Sequence, residues 1–249
     1  MEQFILLAAR RSGTTFVQRS LDSHPQIQCH KRVFDVKNKF RYFVIDRPNS
    51  KFHQFRTASI QRQRDYIFRK QQLIEAFMTE LCVPVEDSKA IGIRLAYIQS
   101  DRHPEILKWA TANAVGIIHL VRENVLKTLV SHATAKKRGI RHSTQKLPTV
   151  TVRLPPRRLK RRLKKLTRHI EKYRTMLKDK RHIEISYESF VANRDAETQR
   201  ILDFLNIDQF VPLTTDLVKL NPDALQEIIE NYEEVKRALS STASENFLN

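Results

Sequence analysis

The chain has 249 residues, 41% of them hydrophobic, a formal net charge of +18 and only four glycines. That length suits one α/β domain with a substantial core, the apolar share excludes a disordered chain, and so few glycines argue against a glycine-rich all-β fold. Cys29 and Cys82 are too few for a disulfide framework and nothing resembles a Cys/His metal cluster. No apolar run approaches the roughly 20 residues of a membrane span, and the N-terminal one is too short for a signal peptide. The expectation is a cytoplasmic protein with reduced cysteines and no metal.

The first element is an apolar strand at 4–9. It enters the polar turn Arg10-Arg11-Ser12-Gly13-Thr14-Thr15, and a helix over 13–23 leaves it. A short strand at 27–29 precedes residues 35–59, which show no clear period and read as a long loop over one edge of the sheet. Polar and charged residues with apolar ones at helical spacing predict a helix over 60–82. Strands follow at 90–96 and 114–121, with a helix over 104–113 starting at Pro104 between them. After a helix over 123–138, residues 139–156 hold three prolines and read as a second long loop. Helices over 156–179, 195–205 and 222–239 surround a last strand at 183–187. Strands alternating with helices predict an α/β fold of three layers: a central parallel sheet of about five strands, with helices on both faces and ligands at the strands' carboxyl ends.

The first strand–turn–helix has the form of a phosphate cradle. A helix N-terminus offers unpaired N–H groups and partial positive charge, and Gly13 lets the backbone approach an oxyanion. Thr14 and Thr15 add hydroxyls, and Arg11 adds a fixed positive charge with a planar donor fork. A nucleoside-triphosphate loop is excluded, because its pattern needs Gly at position 8 and Lys at position 14, where the chain has Ala8 and Thr14. A second anion position lies at Leu120-Val121-Arg122-Glu123-Asn124, where a buried strand passes into a helix. Arg122 ends the strand, and Ser131 lies about two and a half turns further along the helix. The two side chains are placed to flank one anion. An ordinary strand-end salt bridge and a polar helix-face residue are the plainer alternatives.

Taken together, Arg11-Ser12-Gly13-Thr14-Thr15 and Leu120-Val121-Arg122 with Ser131 resemble the two nucleotide sites of sulfotransferases that use 3′-phosphoadenosine 5′-phosphosulfate (PAPS). Ile185-Ser186-Tyr187-Glu188, Phe204-Leu205 and Lys219-Leu220-Asn221-Pro222 resemble later segments of the same family. The likeness is to bacterial carbohydrate and glycolipid sulfotransferases, the nodulation-factor type among them. The run Arg11 to Thr15 with Ser23-His24-Pro25 also resembles protein-tyrosine sulfotransferases. The resemblance covers most of the chain outside 35–85 and 139–165.

The resemblance implies a P-loop-like sheet and a single sulfotransferase-like domain over 1–249, with substrate loops near 35–60 and 139–156. It implies transfer of a sulfuryl group from PAPS to a carbohydrate or glycolipid hydroxyl by in-line displacement, without a metal. Arg11, Ser12, Gly13, Thr14 and Thr15 would hold the 5′-phosphosulfate, and Arg122 and Ser131 the 3′-phosphate. Tyr187 and Lys219 match nucleotide contacts. Arg11 and Arg94 would stabilise charge on the leaving oxygen, where relatives often carry Lys. One departure stands out: relatives place a general-base Glu after the second strand, whereas Cys29-His30-Lys31-Arg32 puts Arg32 at that position. An arginine is no base at neutral pH. His30 is the expected replacement, with Asp35 and His103 as alternatives.

Residues 136–182 carry 19 Lys and Arg against two acids, so the basic charge is local. Leu159, Leu163, Leu166, Ile170, Tyr173 and Leu177 recur at helical spacing within it, which predicts an amphipathic helix with one core face. Its basic side suits three roles that the sequence leaves open: a solvated face, steering of an anionic donor and acceptor, or peripheral attachment to an anionic membrane. A nucleic-acid- or anionic-surface-binding protein with a vestigial nucleotide site is the alternative function. Nucleic acid is disfavoured, because aromatic residues are not interleaved with the basic ones.

Overall fold

The computed structural model describes residues 1–249 except 32, 41, 42, 84–86, 241, 243 and 249, and gives the backbone alone at 37–40 and 43–45. The main sheet holds β1 (Glu2–Ala8), β2 (Ile27–His30), β5 (Ala90–Ala96), β6 (Gly116–Val121) and β7 (His182–Ser186), all parallel, in the order β2-β5-β1-β6-β7. A separate antiparallel pair joins β3 (Val36–Phe40) to β4 (Phe43–Asp46). These are the five predicted strands of the parallel sheet, each within about two residues of its predicted ends.

The sheet is parallel because its strands are apolar on both sides. Every residue of β6 is buried, and so are the last five of β1. Period-two alternation sends Ile5 and Leu7 into one core, with Ile91, Ile93 and Ile117. It sends Phe4, Leu6 and Ala8 into the other, with Ile118, Leu120 and Ile185. Each Ile, Leu or Phe among them contributes about 1.5–3 kcal/mol on burial. Gly92 on β5 is required by close packing, because a Cβ there would meet the Phe4 ring at 2.6 Å.

The helices of one face include α4 (Lys70–Leu81), α6 (Glu105–Ala112), α7 (Val125–Arg138) and α8 (Pro156–Leu177), and those of the other α1 (Thr14–Asp22), α9 (Tyr187–Ala192) and α10 (Arg194–Phe204). On α8, Leu159, Leu163, Ile170, Tyr173 and Leu177 are buried, as the periodicity predicts. The Tyr173 hydroxyl donates to the Tyr97 carbonyl (3.1 Å), and the two rings stack at 4.2 Å. Strand order reverses about β1: the chain runs out to β2 on one side and returns to β6 on the other. Its carboxyl end is therefore the switch point, where α/β sheets open a crevice.

Three expectations need correction. Residues 35–59 are not a loop: they form the β3–β4 pair and α2 (Lys51–Thr57), which Ser50 caps by accepting from the His53 N–H. Phe34, Phe52, Phe55 and Phe77 pack beneath this insertion, with Phe34 and Phe52 centroids 4.8 Å apart. The helix over 60–82 is broken at Arg69 into α3 (Ile60–Phe68) and α4, and α3 buries none of its residues. Residues 222–239 are not one helix. An isolated bridge pairs Val152 with Ile229, so only a short 3-10 turn (Leu225–Glu227) and α11 (Tyr232–Leu239) form there. The short helix α5 (Tyr97–Arg102) and α9 follow strands directly and carry too few residues for a periodic signal. Among the described residues, no helix is long and apolar enough to cross a membrane.

Candidate functional site

The carboxyl ends of β1, β5 and β6 open into a cleft of about 1000 Å³. Among the described residues, eight arginines and four lysines line it against a single carboxylate, Asp35. Such an excess of one sign on a concave wall focuses the field on an anion.

The floor is the turn from β1 to α1. Arg11 takes a left-handed backbone, φ 73°, and Gly13 another, φ 85°. These two reversals let the chain enter α1 with Gly13 as N-cap and no side chain capping it. The Gly13 carbonyl accepts from Phe16 and Val17, while the N–H groups of Gly13, Thr14 and Thr15 donate to no described group. Ser12 is buried. The Tyr187 ring lies directly on Gly13, where a Cβ would stand 2.1 Å from it. Phe16 packs edge-on against that ring (centroids 6.1 Å apart), and Arg122 lies over it at 5.0 Å. Arg122 also sits 3.8 Å from Glu188, whose carboxylate accepts the Glu123 and Asn124 N–H groups.

Arg11 crosses from the turn to α7. Its Nε and Nη2 both donate to Ser131 Oγ, at 3.2 and 3.0 Å, and Nη1 donates to the Arg141 carbonyl at 3.1 Å. Burial, followed by Arg141, Arg122 and Arg138, pushes its pKa down to about 10, so it stays charged at neutral pH. Arg94 donates to Thr15 Oγ1 at 2.9 Å. The same hydroxyl donates to His142 Nε2 at 3.1 Å, or accepts from it in the other tautomer. Partial burial, then Arg11, Arg94, Arg19 and Arg141, hold the His142 pKa at about 4, which leaves its ring neutral at pH 7.

Two connections roof the cleft. One is 139–155, which supplies Arg141 and His142. The other is 217–222, tied down where Asn221 donates to Thr134 Oγ1 (3.0 Å) and the Val218 N–H donates to the Ser143 carbonyl (3.0 Å). Lys219 of this segment lines the cleft and pairs with Asp223.

The cleft thus gathers Arg11, Gly13, Thr14, Thr15, Arg94, Arg122, Ser131, Tyr187 and Lys219. It does not gather His30. That residue ends β2 outside the cleft lining, Nε2 donating to the Leu81 carbonyl (3.2 Å) and Nδ1 3.3 Å from Lys51. Burial and Lys51 lower its pKa. His103 is fully buried, its Nε2 donating to Asp46 at 2.8 Å among Phe34 and Phe52. It anchors the insertion. Arg32 lies outside the described residues. Asp35 is on the cleft wall, positioned by buried Phe34 beside it and by Gln99, which donates to Oδ1 at 3.2 Å. Sequence reasoning missed Arg141 and His142; only the basic run from 136 onward pointed to that loop.

The profile of the Sulfotransferase family matches residues 3–212 of this sequence. The chain belongs to that family. The match takes in the 11–15 turn, Arg94, Arg122, Ser131 and Tyr187, and stops short of Lys219. Among solved structures the chain is similar to a sulfotransferase from Alicyclobacillus acidocaldarius, at 16% identity over 100% of this chain and 96% of that one (TM-score 0.47). It is similar to the sulfotransferase domain of the curacin biosynthetic pathway at 16% identity, over 95% and 89% (TM-score 0.47). It is similar to a mouse sulfotransferase complexed with PAP at 15% identity, over 99% and 74% (TM-score 0.47). None of the curated proteins matches it.

Proposed function

We propose that the chain transfers a sulfuryl group from PAPS to a hydroxyl of a carbohydrate or glycolipid acceptor, with residues 1–249 acting as one sulfotransferase-like domain in the cytoplasm. The observation that carries this reading is the cleft at the switch point, where, among the described residues, twelve Arg and Lys side chains face one carboxylate. A donor with charged groups at both ends suits this lining. The open N–H groups of Gly13, Thr14 and Thr15 fit a 5′-phosphosulfate, and the missing side chain at Gly13 makes room for the Tyr187 ring beside them. Arg122 and Ser131 fit a 3′-phosphate, with Lys219 and the Tyr187 ring as further contacts.

PAPS supplies the sulfuryl group, which passes from the 5′-phosphate oxygen to the acceptor oxygen. The protein's part is positioning and charge stabilisation. Arg11 holds permanent positive charge where the leaving oxygen gains negative charge. Arg94, bonded to Thr15, adds to that field. Asp35 takes the proton of the acceptor hydroxyl, being the only carboxylate of the cleft among the described residues.

The test is transfer of label from [35S]PAPS to carbohydrate and glycolipid acceptors by the parent chain and by Arg11→Ala. The account expects labelled product from the parent and a loss of about 10²–10³-fold in kcat for the variant. An active Arg11→Ala chain with unchanged kinetics would overturn it.

A further inference from the structure

The cleft does not exhaust the basic charge. From Arg157 to Arg168, α8 carries eight cations and no acid, and none of the eight forms an ion pair with a described carboxylate. The second half of the helix differs. There Lys172 pairs with Asp101, and Arg174 with Glu171 and Glu184. The unpaired stretch is about 16 Å long. Unpaired like charges packed this closely repel one another, and that repulsion is relieved when an anion binds.

This stretch lies beside the cleft: α8 packs against α7, whose Ser131, His132 and Lys136 line it. Its half-buried Arg162 lies within electrostatic reach of Arg158 on its own helix and of His132 on α7. His132 lines the cleft, within reach of Arg10, Arg11 and Arg141. A positive track thus leads from the outer face of α8 to the anion site.

Resting on the sulfotransferase reading, we propose that this face of α8 docks an acidic polysaccharide and leads it past Arg158, Arg162 and His132 into the cleft. The acceptor is then a hydroxyl-bearing polymer with regularly spaced carboxylate, phosphate or sulfate groups. A lipid surface fits less well, because Leu159, Leu163, Ile170, Tyr173 and Leu177 face the core and leave this stretch without large apolar residues to insert. Nucleic acid fits less well, because the stretch has no aromatic ring to stack on a base.

The test uses the full chain with fluorescein-labelled polygalacturonate, read by anisotropy. Polyuridylate and phosphatidylglycerol vesicles compete at matched charge. The variant Arg158→Ser/Arg161→Ser/Lys165→Ser removes three exposed charges outside the cleft. Stabilisation by adenosine 3′,5′-bisphosphate reports separately on the folded donor site. The proposal expects polygalacturonate to bind best and the variant to bind it at least about tenfold more weakly at 0.1 M salt, with the bisphosphate shift retained. Unchanged polygalacturonate binding in the variant overturns the track while leaving the donor site standing. Preference of the parent chain for polyuridylate or vesicles also overturns it. Absence of a bisphosphate shift in the parent chain overturns the donor reading, and delivery into the cleft with it.

Discussion

A Cβ at Gly13 would stand 2.1 Å from the Tyr187 ring, on a backbone at φ 85°. Gly13→Ala is therefore expected to displace that ring and to strain the turn by about 1–3 kcal/mol. Calorimetry should show a lower Tm and lost affinity for adenosine 3′,5′-bisphosphate. Ser131 is a different case. Its hydroxyl accepts two bonds from Arg11 and so holds the guanidinium in place. Ser131→Ala is expected to weaken bisphosphate binding by about tenfold, with little change in Tm. Asp35→Asn should separate chemistry from binding. It removes the proposed base and keeps the shape, so kcat falls by about 10²–10⁴ while the bisphosphate affinity stays. An Asp35→Asn chain with full kcat would remove that residue from the mechanism.

At the scale of elements, the join between β6 and β7 carries a pH signature. His119 is buried between the Tyr97 hydroxyl (2.6 Å) and Glu184 (3.0 Å). Glu184 resists burial and is kept ionised by the Arg174 fork, so it only accepts. Nδ1–H therefore donates to it, and Nε2 accepts from Tyr97. Burial outweighs the carboxylate and lowers the His119 pKa to about 4. The unfolded chain, near 6.5, takes up its proton first as pH falls. The stability is complete above about pH 6.5 and is lost as pH falls toward 4, by up to about 3 kcal/mol. Urea midpoints should drop between pH 7 and pH 5, and His119→Gln should flatten that slope.

The same scale shows what a sequence reader can find. The five sheet strands are legible because parallel strands are apolar on both faces, and α8 because its apolar stripe is regular. The β3–β4 pair is not, since Val36-Lys37-Asn38-Lys39-Phe40 has neither an apolar run nor a turn signal. The break at Arg69 leaves no mark in helical spacing, which continues through it. The Val152–Ile229 bridge joins segments 77 residues apart, beyond any local pattern. Within the site, the 11–15 turn, Arg94, Arg122 and Ser131 were legible from strand ends and helix starts. Arg141 and His142 were not, because their place depends on where a loop folds back. His30 is suitable by residue type, but it sits at the end of β2 outside the cleft lining.

At the scale of the whole molecule, +18 net charges are gathered on one cleft and one helix. Binding of anions should therefore depend steeply on salt. Raising NaCl from 0.05 to 0.5 M is expected to weaken bisphosphate binding by about tenfold or more. A salt-independent affinity would contradict a site built on arginines.

The most direct test of the central claim is thermal stabilisation by adenosine 3′,5′-bisphosphate, with AMP and ATP as controls, on the parent chain and on Arg122→Ala. A ligand that binds only the folded state raises Tm by mass action. The account predicts a shift for the bisphosphate well above that for AMP, because the 3′-phosphate engages Arg122. It predicts that this margin vanishes in Arg122→Ala. Equal shifts for bisphosphate and AMP in the parent chain would contradict it.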